Sequence, residues 1–398
     1  MRTIKAISLL TAAVMGCTAL LAGCGKGSDS SSKAEEGAKT SDDGSINKDL
    51  TATELARLLG NGTNLGNTME AYGHKSYSAD TDPESFETLW GQPVTTEEMI
   101  KGMKASGFDS LRVPVAWTNA MEYEKGDYTI NEAYLDRVEE IINYALDNDM
   151  YVIINDHWDG SWWGMFGSSE QSDVDKAFEM YKSMWTQIAN RYKKYSDRLI
   201  FEGANEELGD RLNDTDVCKN SGSLSKAECY EMANRINQTF VDTVRATGGN
   251  NEQRFLLIAM TCSDKFQMPT DTAKDKLLLS VHYYTPWDYC GTKGRSDWGT
   301  KSDYEEQNRL FKNMTKYSEQ GYGIIIGEYA VLTNGGDVKK GTDKFINNLL
   351  DNCDAYGFAP FLWDCSDFFS RSELKMRDET VAKIFDERRR DNQSSMTV

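Results

Sequence analysis

The stretch YVIINDHWDG at residues 151–160 begins as a buried strand and continues into polar and aromatic side chains. Tyr151–Asn155 is rich in β-branched residues and lacks the alternation of a half-exposed strand, which is typical of parallel strands covered on both faces. His157 and Trp158 follow where such a strand would end. The same order, an apolar run and then a polar or aromatic residue, recurs along the chain and decides the fold prediction.

Eight runs of this kind follow one another from Leu50 onward. The predicted strands are Gly62–Asn67, Ser110–Val115, Tyr151–Asn155, Leu199–Glu202, Arg254–Met260, Leu277–Tyr284, Gly323–Glu328 and Phe358–Trp363. Segments with helical periodicity separate most of them, namely Met99–Ser106, Asn131–Asp147, Val174–Tyr195, Tyr230–Thr247, Asp303–Gln320 and Asp343–Ala355. Strands alternating with helices predict an α/β fold, the (β/α)8 TIM barrel, as a single catalytic domain over residues 49–398. An open doubly wound sheet is the alternative, but no glycine-rich phosphate loop follows the first predicted strand.

The start of the chain is typical of an exported protein. Residues 1–23 combine a basic beginning, an apolar run over Ile7–Leu21 and small residues before a cleavage point. That run is shorter than the roughly 20 residues that a membrane span needs. Leu21–Cys24 (LAGC) resembles a bacterial lipobox, so we expect a lipid on Cys24 and an extracellular, cell-surface lipoprotein. An ordinary signal peptide is the alternative.

Residues 24–48 are rich in serine, glycine and acidic residues and contain almost no large apolar side chain. Such a segment cannot bury enough surface to fold, which predicts a flexible tether. In this interpretation the protein meets a membrane only through the lipid at its N-terminus.

The formal net charge of −19 argues against polyanionic partners. Nucleic acid is therefore not an expected partner, whereas a neutral substrate fits the charge. We expect a monomer. Eight cysteines are present, in spacings that match no zinc site. Cys218 and Cys229 flank a polar loop and could form a disulfide, with buried thiols as the alternative.

Polar and aromatic side chains gather at the carboxyl ends of the predicted strands. In a TIM barrel these ends form the active site. The residues are Asn64, Asn67, Arg112, His157, Asn205, Glu206, His282, Tyr284, Glu328 and Trp363. Charged residues are rarely placed in apolar strands without partners, so their gathering at one rim predicts a functional site. For His157 and His282, a core histidine bonded to the backbone is the competing interpretation.

Two glutamates on facing strands are typical of glycoside hydrolysis. One carboxyl donates a proton to the leaving oxygen while the other attacks the sugar carbon, and the two need different environments. Arg112 and His282 can supply positive charge or hydrogen bonds near the attacking carboxylate. Asn205 can bond a sugar 2-hydroxyl, and Tyr284 can orient Glu328.

Nine motifs of the chain together resemble glycoside hydrolase family 5, close to its subfamily 4. They are NLGNT (64–68), LWGQPVTTEEMI (89–100), LRVPVAW (111–117), YVIINDHWDG (151–160), LIFEGANE (199–206), FVDTVRATGGNN (240–251), SVHYYTPW (280–287), IIIGEYA (324–330) and FLWD (361–364). They occur in the family's order and span nearly the whole predicted domain.

The resemblance implies a (β/α)8 barrel and a retaining double displacement without a metal or an organic cofactor. Matched residue by residue, Glu206 is the acid/base and Glu328 the nucleophile. The family's other active-site positions are Arg112, His157, Asn205, His282, Tyr284 and Trp363. For a retaining enzyme we expect the two carboxyl groups to lie about 5–5.5 Å apart.

The chain departs from the family pattern at two positions. Glu207 follows Asn205–Glu206 where the family usually has proline, and we expect it to alter the loop or to raise the pKa of the acid. Trp158 replaces the second histidine of a usual pair after the third strand.

Substrate-binding candidates are aromatic or amide side chains near the rim. Trp158, Trp162, Trp163 and Trp287 lie in polar or glycine-containing contexts, and tryptophan faces stack on sugar rings. Asn64, Asn67 and Trp363 complete this set, and plain packing is the alternative for the tryptophans.

The resemblance implies an endo-β-1,4-glucanase acting on cellulose-like chains, mixed-linkage glucan or xyloglucan. Cleavage of xylan or mannan is the alternative among enzymes. A surface glycan-binding lipoprotein without catalysis is an alternative of a different class. That alternative predicts the loss of a catalytic carboxylate, and Glu206 and Glu328 are both present.

Overall fold

The computed structural model describes residues 41–73, 76–160, 162–214, 222–260, 265–291, 294–333 and 336–389. The predicted signal peptide, Cys24 and the tether up to residue 40 lie outside this range, as does Cys218 of the proposed disulfide. Among the described residues, no helix has both the length and the apolar composition for crossing a membrane.

Eight parallel strands close into a barrel in chain order, with β8 pairing with β1. The strands are β1 (Gly62–Asn64), β2 (Ser110–Val113), β3 (Tyr151–Asn155), β4 (Leu199–Glu202), β5 (Leu256–Ala259), β6 (Leu277–Tyr283), β7 (Gly323–Tyr329) and β8 (Ala359–Leu362). A short antiparallel pair, β9 (Phe369–Ser370) and β10 (Lys375–Met376), follows the barrel. The predicted TIM barrel is confirmed, and β3 and β4 have the predicted bounds.

Helices surround the barrel. They are α1 (Ala52–Leu58), α2 (Pro83–Glu87), α3 (Glu97–Ala105), α4 (Glu132–Leu146), α5 (Gln171–Tyr192), α6 (Lys226–Ala246), α7 (Trp287–Cys290), α8 (Lys301–Ser318), α9 (Thr342–Tyr356) and α10 (Glu379–Glu387). Short 3₁₀ helices lie at Trp117–Ala120, Tyr123–Lys125, Trp162–Gly167, Asp210–Asn213 and Gly249–Glu252. Capping boxes begin α1, α6 and α8, because a side chain at each cap satisfies backbone donors that the first turn leaves free.

The barrel interior has an apolar lower layer and a polar upper layer. The lower layer contains Ile153, Ile200, Leu257, Leu278, Ile325 and Phe361. α1 packs on this layer and closes the amino-terminal end of the barrel. Its approach to β7 requires Gly323, where a Cβ atom would lie 2.2 Å from the carbonyl oxygen of Ala52. Arg112, Glu202 and Ser280 are buried one layer higher, below the rim that was predicted to carry the site.

Residues 41–48, which their composition assigned to the tether, lie against the amino-terminal face of the barrel. Asp42 accepts the backbone N–H of Ser196 at 2.9 Å, and Asn250 donates to the carbonyl oxygen of Gly44 at 2.8 Å. Ser196 precedes β4 and Asn250 precedes β5, so both partners belong to the face opposite the rim. Short polar residues are held there by hydrogen bonds that no hydropathy pattern reveals.

Candidate active site

Arg112 lies at the centre of the upper layer with its side chain fully buried. Its Nε donates to Glu202 at 2.7 Å, and its Nη1 donates to Asn64 at 2.9 Å and to Glu328 at 3.1 Å. Its Nη2 donates to Asn205 at 2.8 Å. Burial disfavours the charged guanidinium, but the carboxylates of Glu202 and Glu328 outweigh this effect and raise the pKa of Arg112. The residue therefore stays charged and connects four strands or their following loops.

Glu328, near the end of β7, is buried and held on both carboxylate oxygens. Its Oε1 accepts from Arg112 and lies 3.9 Å from Nε2 of His157. Its Oε2 accepts the hydroxyl of Tyr284 at 2.9 Å. Arg112 and Tyr284 therefore fix the position of the two carboxylate oxygens of Glu328.

Glu206 follows β4 and is more exposed, with 41% of its side-chain surface accessible. Its Oε1 lies 2.8 Å from Nδ1 of His282, which is also 3.5 Å from Oε2 of Glu328. The hydrogen bond with His282 holds the pKa of Glu206 below its usual value. Burial lowers the pKa of His282, but the charge of Glu328 and the bond to Glu206 leave it above its usual value. Through this hydrogen bond His282 and Glu206 each favour the charged form of the other.

The two rim glutamates approach each other closely. One carboxylate oxygen of each, together with a ring nitrogen of His282, form a group whose atoms all lie within 4.8 Å of one another. Inverting glycosidases separate their carboxyl groups by about 6.5–9.5 Å to admit a water, whereas retaining enzymes bring them to about 5–5.5 Å. The spacing of Glu206 and Glu328 is that of a retaining enzyme.

His157 is a buried, neutral member of the site. Asn155 lies 3.1 Å from its Nδ1, and the Trp363 ring stacks on it with 5.5 Å between centroids and 4° between planes. Burial, followed by the charge of Arg112, holds the pKa of His157 well below its usual value. His157 therefore acts at neutral pH as a hydrogen-bonding group and as a support for Trp363.

Two cavities flank the glutamates. One, of about 430 Å³, is lined on the side of β1, β3 and β8 by Asn67, Trp90, His157, Trp158, Arg211 and Trp363, among others. The other, of about 360 Å³, is lined on the side of β4 to β6 by Asn205, Glu206, Tyr230, Met260 and His282, among others. The second cavity therefore reaches Glu206, and the first reaches His157 and Trp363.

Several substrate-binding predictions need correction. Trp162 and Trp163 are 0% and 1% exposed, and they stack on each other and pack on Phe166 and Tyr181 in the core. Asn64 is also fully buried, and its amide bonds Arg112 and the carbonyl oxygens of Gly327 and Leu362. These three side chains support the site from within the protein.

The other predicted binding residues lie at the surface of the cleft. Trp158 is 36% exposed, and Asn67 and Trp363 are half-buried. Trp287 is 65% exposed and packs edge-on against Tyr284, with 6.1 Å between ring centroids.

Residues that the sequence analysis did not select also take part. Trp90 is 41% exposed and lines the cavity of about 430 Å³. The feature of the sequence that could have identified it is its position inside the motif LWGQPVTTEEMI. Glu202 accepts a hydrogen bond from Arg112. The feature of the sequence that could have identified it is a charged residue in the otherwise apolar run LIFE. Arg211 lies 5.2 Å from the Trp158 ring and 3.9 Å from Glu206, in a polar segment without any periodic signal.

The turn that carries Asn67 is held from beneath. Asn67 adopts the left-handed region with a φ of 58°, which asparagine tolerates better than most residues. The buried carboxylate of Glu70 accepts the backbone N–H groups of Asn67 and Thr68. Arg371 donates to Thr68 and to the carbonyl oxygen of Gly66. Asn67 is thus fixed at the edge of the larger cavity.

Glu207 is fully buried directly behind Glu206. Burial raises the pKa of Glu207 to about 8. The expectation that Glu207 raises the pKa of the acid is wrong, since the pKa of Glu206 is lowered. Desolvation dominates the pKa of Glu207, whereas at Glu206 the hydrogen bond with His282 outweighs desolvation.

We expect the stability gain of Glu207→Gln over the wild type to increase with pH. The folded protein holds a proton on Glu207 that an unfolded glutamate releases above about pH 4.5, so this stabilisation is complete below that pH. As the pH rises from there, this stabilisation declines, until the pH reaches the pKa of about 8 that Glu207 has in the folded protein. Glutamine does not ionise and is free of this effect. The melting temperature of the variant minus that of the wild type should therefore rise by roughly 2 °C or more between about pH 4.5 and about pH 8. A difference that is constant with pH would contradict the assignment.

Substitutions at two tryptophans should separate core from cleft. Trp162→Ala removes a fully buried side chain, and we expect it to lower the free energy of unfolding by about 3–5 kcal/mol. Trp158→Ala removes a partly exposed ring whose contact with Arg211 is worth about 0.5–1 kcal/mol. Urea denaturation of both variants measures the difference, and equal losses would contradict the placement of the two rings.

A family model described as Cellulase (glycosyl hydrolase family 5) matches residues 73–369. The chain is 32% identical over 349 residues to a xyloglucan-specific endo-β-1,4-glucanase of Bacteroides ovatus, covering 80% of this chain and 65% of that protein, which is less than two thirds. It is 32% identical over 363 residues to endoglucanase A of Paenibacillus barcinonensis, covering 80% and 83%.

A solved structure of a GH5-4 broad specificity endoglucanase from Ruminococcus champanellensis, with bound cellotriose, superposes with a TM-score of 0.73. The sequences are 32% identical, and the match covers 85% of this chain and 98% of that chain. The family match spans well over half of the sequence and includes both rim glutamates. The protein therefore belongs to glycoside hydrolase family 5.

Proposed function

We propose that this protein is a retaining endo-β-1,4-glucanase in which Glu328 is the nucleophile and Glu206 the acid/base. The observation that carries the proposal is the pair itself, with carboxylate oxygens within 4.8 Å in two different environments. Glu328 is buried and bonded to Arg112 and Tyr284, whereas Glu206 is exposed to the cleft and bonded to His282.

In the first step Glu328 attacks the anomeric carbon of the sugar and forms a glycosyl ester. The bond from that carbon to the leaving oxygen breaks, and Glu206 gives this oxygen a proton. Arg112 and Tyr284 orient Glu328 for the attack through the bonds described above. In the second step Glu206 accepts a proton from water, and the hydroxide formed displaces Glu328 with net retention.

The proton for the first step comes from the pair that Glu206 forms with His282. At 2.8 Å a proton can pass between Nδ1 of His282 and the Glu206 carboxyl along their hydrogen bond. The two groups are coupled, so the pair, and not either residue alone, sets the pH range in which the acid is available. The lowered pKa of Glu206 favours its ionised form in the second step, in which the carboxylate can accept a proton from water.

Aromatic faces support a polysaccharide substrate. Trp90, Trp158 and Trp363 line the cavity on one side of the glutamates, and Trp287 lies exposed beside Tyr284. Asn205 accepts from Arg112 through its amide oxygen, so its amide nitrogen is the donor for a sugar 2-hydroxyl.

We propose β-1,4-glucans as substrates, including cellulose-like chains, mixed-linkage glucan and xyloglucan. Relatives named as a xyloglucan-specific enzyme and a broad specificity enzyme support this range. Product analysis on these polymers beside xylan and mannan tests it, since xylan or mannan cleavage is the alternative. A purely glycan-binding role is disfavoured because both carboxylates are present in paired geometry.

We expect Glu328→Gln to lose at least about 10³-fold in kcat, because the amide cannot form the ester intermediate. Glu206→Gln should retain more activity on substrates whose leaving group needs no proton. Release of reducing ends from soluble cellulose measures the Glu328 variant, and release of dinitrophenol from 2,4-dinitrophenyl β-cellobioside measures the Glu206 variant. The exposed Glu305→Gln on α8 is the control for both.

Two results would overturn the mechanism. One is a Glu328→Gln variant that still cleaves glucan at the wild-type rate. The other is a first-formed product of inverted anomeric configuration, observed by NMR, because the double displacement conserves the configuration.

We further propose that the protein is an exported monomer, lipid-anchored at Cys24 on the cell surface. The lipobox-like LAGC segment supports this, as does the position of residues 41–48 on the barrel face opposite the cleft.

We expect Cys24→Ser to shift the expressed protein from the membrane fraction to the soluble fraction and to abolish incorporation of labelled fatty acid. Light scattering measures the mass of the released protein and so tests whether it is a monomer. Equal membrane retention of the wild type and the variant would contradict the lipid anchor.

A further inference from the structure

Glu207 makes a contact across Glu206, to the backbone of Asn205. Its Oε2 accepts the backbone N–H of Asn205 at 3.1 Å. The side chain is fully buried, and within the described part of the chain its Oε1 has no hydrogen-bond partner. A buried carboxyl is costly, so its presence one residue after the acid/base requires an explanation.

Charged groups surround Glu207 on several sides. Glu206 precedes it, and its negative charge disfavours ionisation of Glu207, whereas Arg211 acts in the opposite direction. Asp156, fully buried after β3, also interacts with it electrostatically. With the pKa of Glu207 raised to about 8 by burial, the group is a neutral acid at neutral pH and adds no negative charge behind Glu206.

The bond to Asn205 closes a tight turn around Glu206. On one side of that turn Asn205 accepts from Arg112 at 2.8 Å, and on the other Glu206 pairs with His282 at 2.8 Å. Both contacts depend on the position of the backbone of residues 205–207 in the loop after β4. A side-chain carboxyl that accepts the backbone N–H of Asn205 therefore limits how far the acid/base can move.

We propose that Glu207 is a positioning residue for the acid/base, holding the Asn205–Glu206 backbone through its buried carboxyl. It lies beneath the cleft and acts only through its neighbours. The inference rests on the proposed function, because it assigns Glu206 the proton-transfer role.

A positioning role of this kind has a specific kinetic signature. The first chemical step, which kcat/KM reports, needs an acid only when the leaving group is a poor one. Misplacing Glu206 should therefore slow substrates with a basic leaving group and spare those with an acidic one. A general loss of folded structure would slow both equally.

The test compares phenyl β-cellobioside with 2,4-dinitrophenyl β-cellobioside. We expect Glu207→Met, which keeps the volume and removes the acceptor, to lower kcat/KM at least tenfold for the phenyl substrate and less than threefold for the dinitrophenyl one. Glu207→Gln keeps an acceptor oxygen and should restore the wild-type ratio. Added azide should raise kcat of the Met variant on the dinitrophenyl substrate, since it replaces the base-assisted water.

Glu87→Met is the control. Glu87 is also a fully buried glutamate that accepts a backbone N–H, that of Thr95, at 2.8 Å, and it lies on α2 away from the described cleft contacts. Unlike Glu207 it also pairs with Arg137, so its loss should cost more stability. We expect this variant to lower the melting temperature and to leave the ratio of the two substrates unchanged.

Equal losses on both substrates, or no loss on either, would overturn the positioning role. Glu207→Ala is a second variant of the same kind, and if neither folds while Glu207→Gln does, the role is structural and the proposal fails. Wild-type protein inactive on both cellobiosides would instead count against the proposed function. The two failures are therefore distinguishable.

Discussion

The buried guanidinium of Arg112 is the interaction on which the site depends. A charge with no access to water is tolerated only where its donors are matched, and Arg112 bonds Glu202, Asn64, Glu328 and Asn205. These partners belong to β4, β1, β7 and the loop after β4, so a single side chain ties together separate parts of the rim. Breaking this network would leave unpaired charges in the barrel, which explains why a polar layer persists above an apolar one.

Glu206 and Glu328 show how one fold gives the same side chain two properties. Glu328 lies inside the network, bonded to Arg112 and Tyr284, and is almost inaccessible. Glu206 projects from the loop after β4 and responds mainly to His282. His282 lies close to both carboxylates, with Nδ1 2.8 Å from Glu206 and 3.5 Å from Glu328, so one ring nitrogen faces the point where the two glutamates meet.

Buried acids are unusually frequent behind the rim. Glu70, Glu207 and Asp159 all have pKa values raised by burial, to about 7, 8 and 6. Glu70 and Glu207 accept backbone N–H groups in turns that carry Asn67 and Glu206. The acids therefore cost stability while they hold short turns in place, a pattern common where geometry matters more than folding free energy.

The amino-acid sequence by itself determined the barrel and the position of its rim. Strand formation and helix capping depend on neighbouring residues, so runs such as YVIIN and LIFE were placed with their observed bounds. Only the tertiary structure decided which tryptophans face the cleft, because Trp158 and Trp162 share a local context and differ in what packs on them. It also decided that Glu206 has a lowered and Glu207 a raised pKa, although they are adjacent. Burial and charge are set by residues distant in the chain, such as His282 and Arg112, and these become neighbours only when the barrel closes.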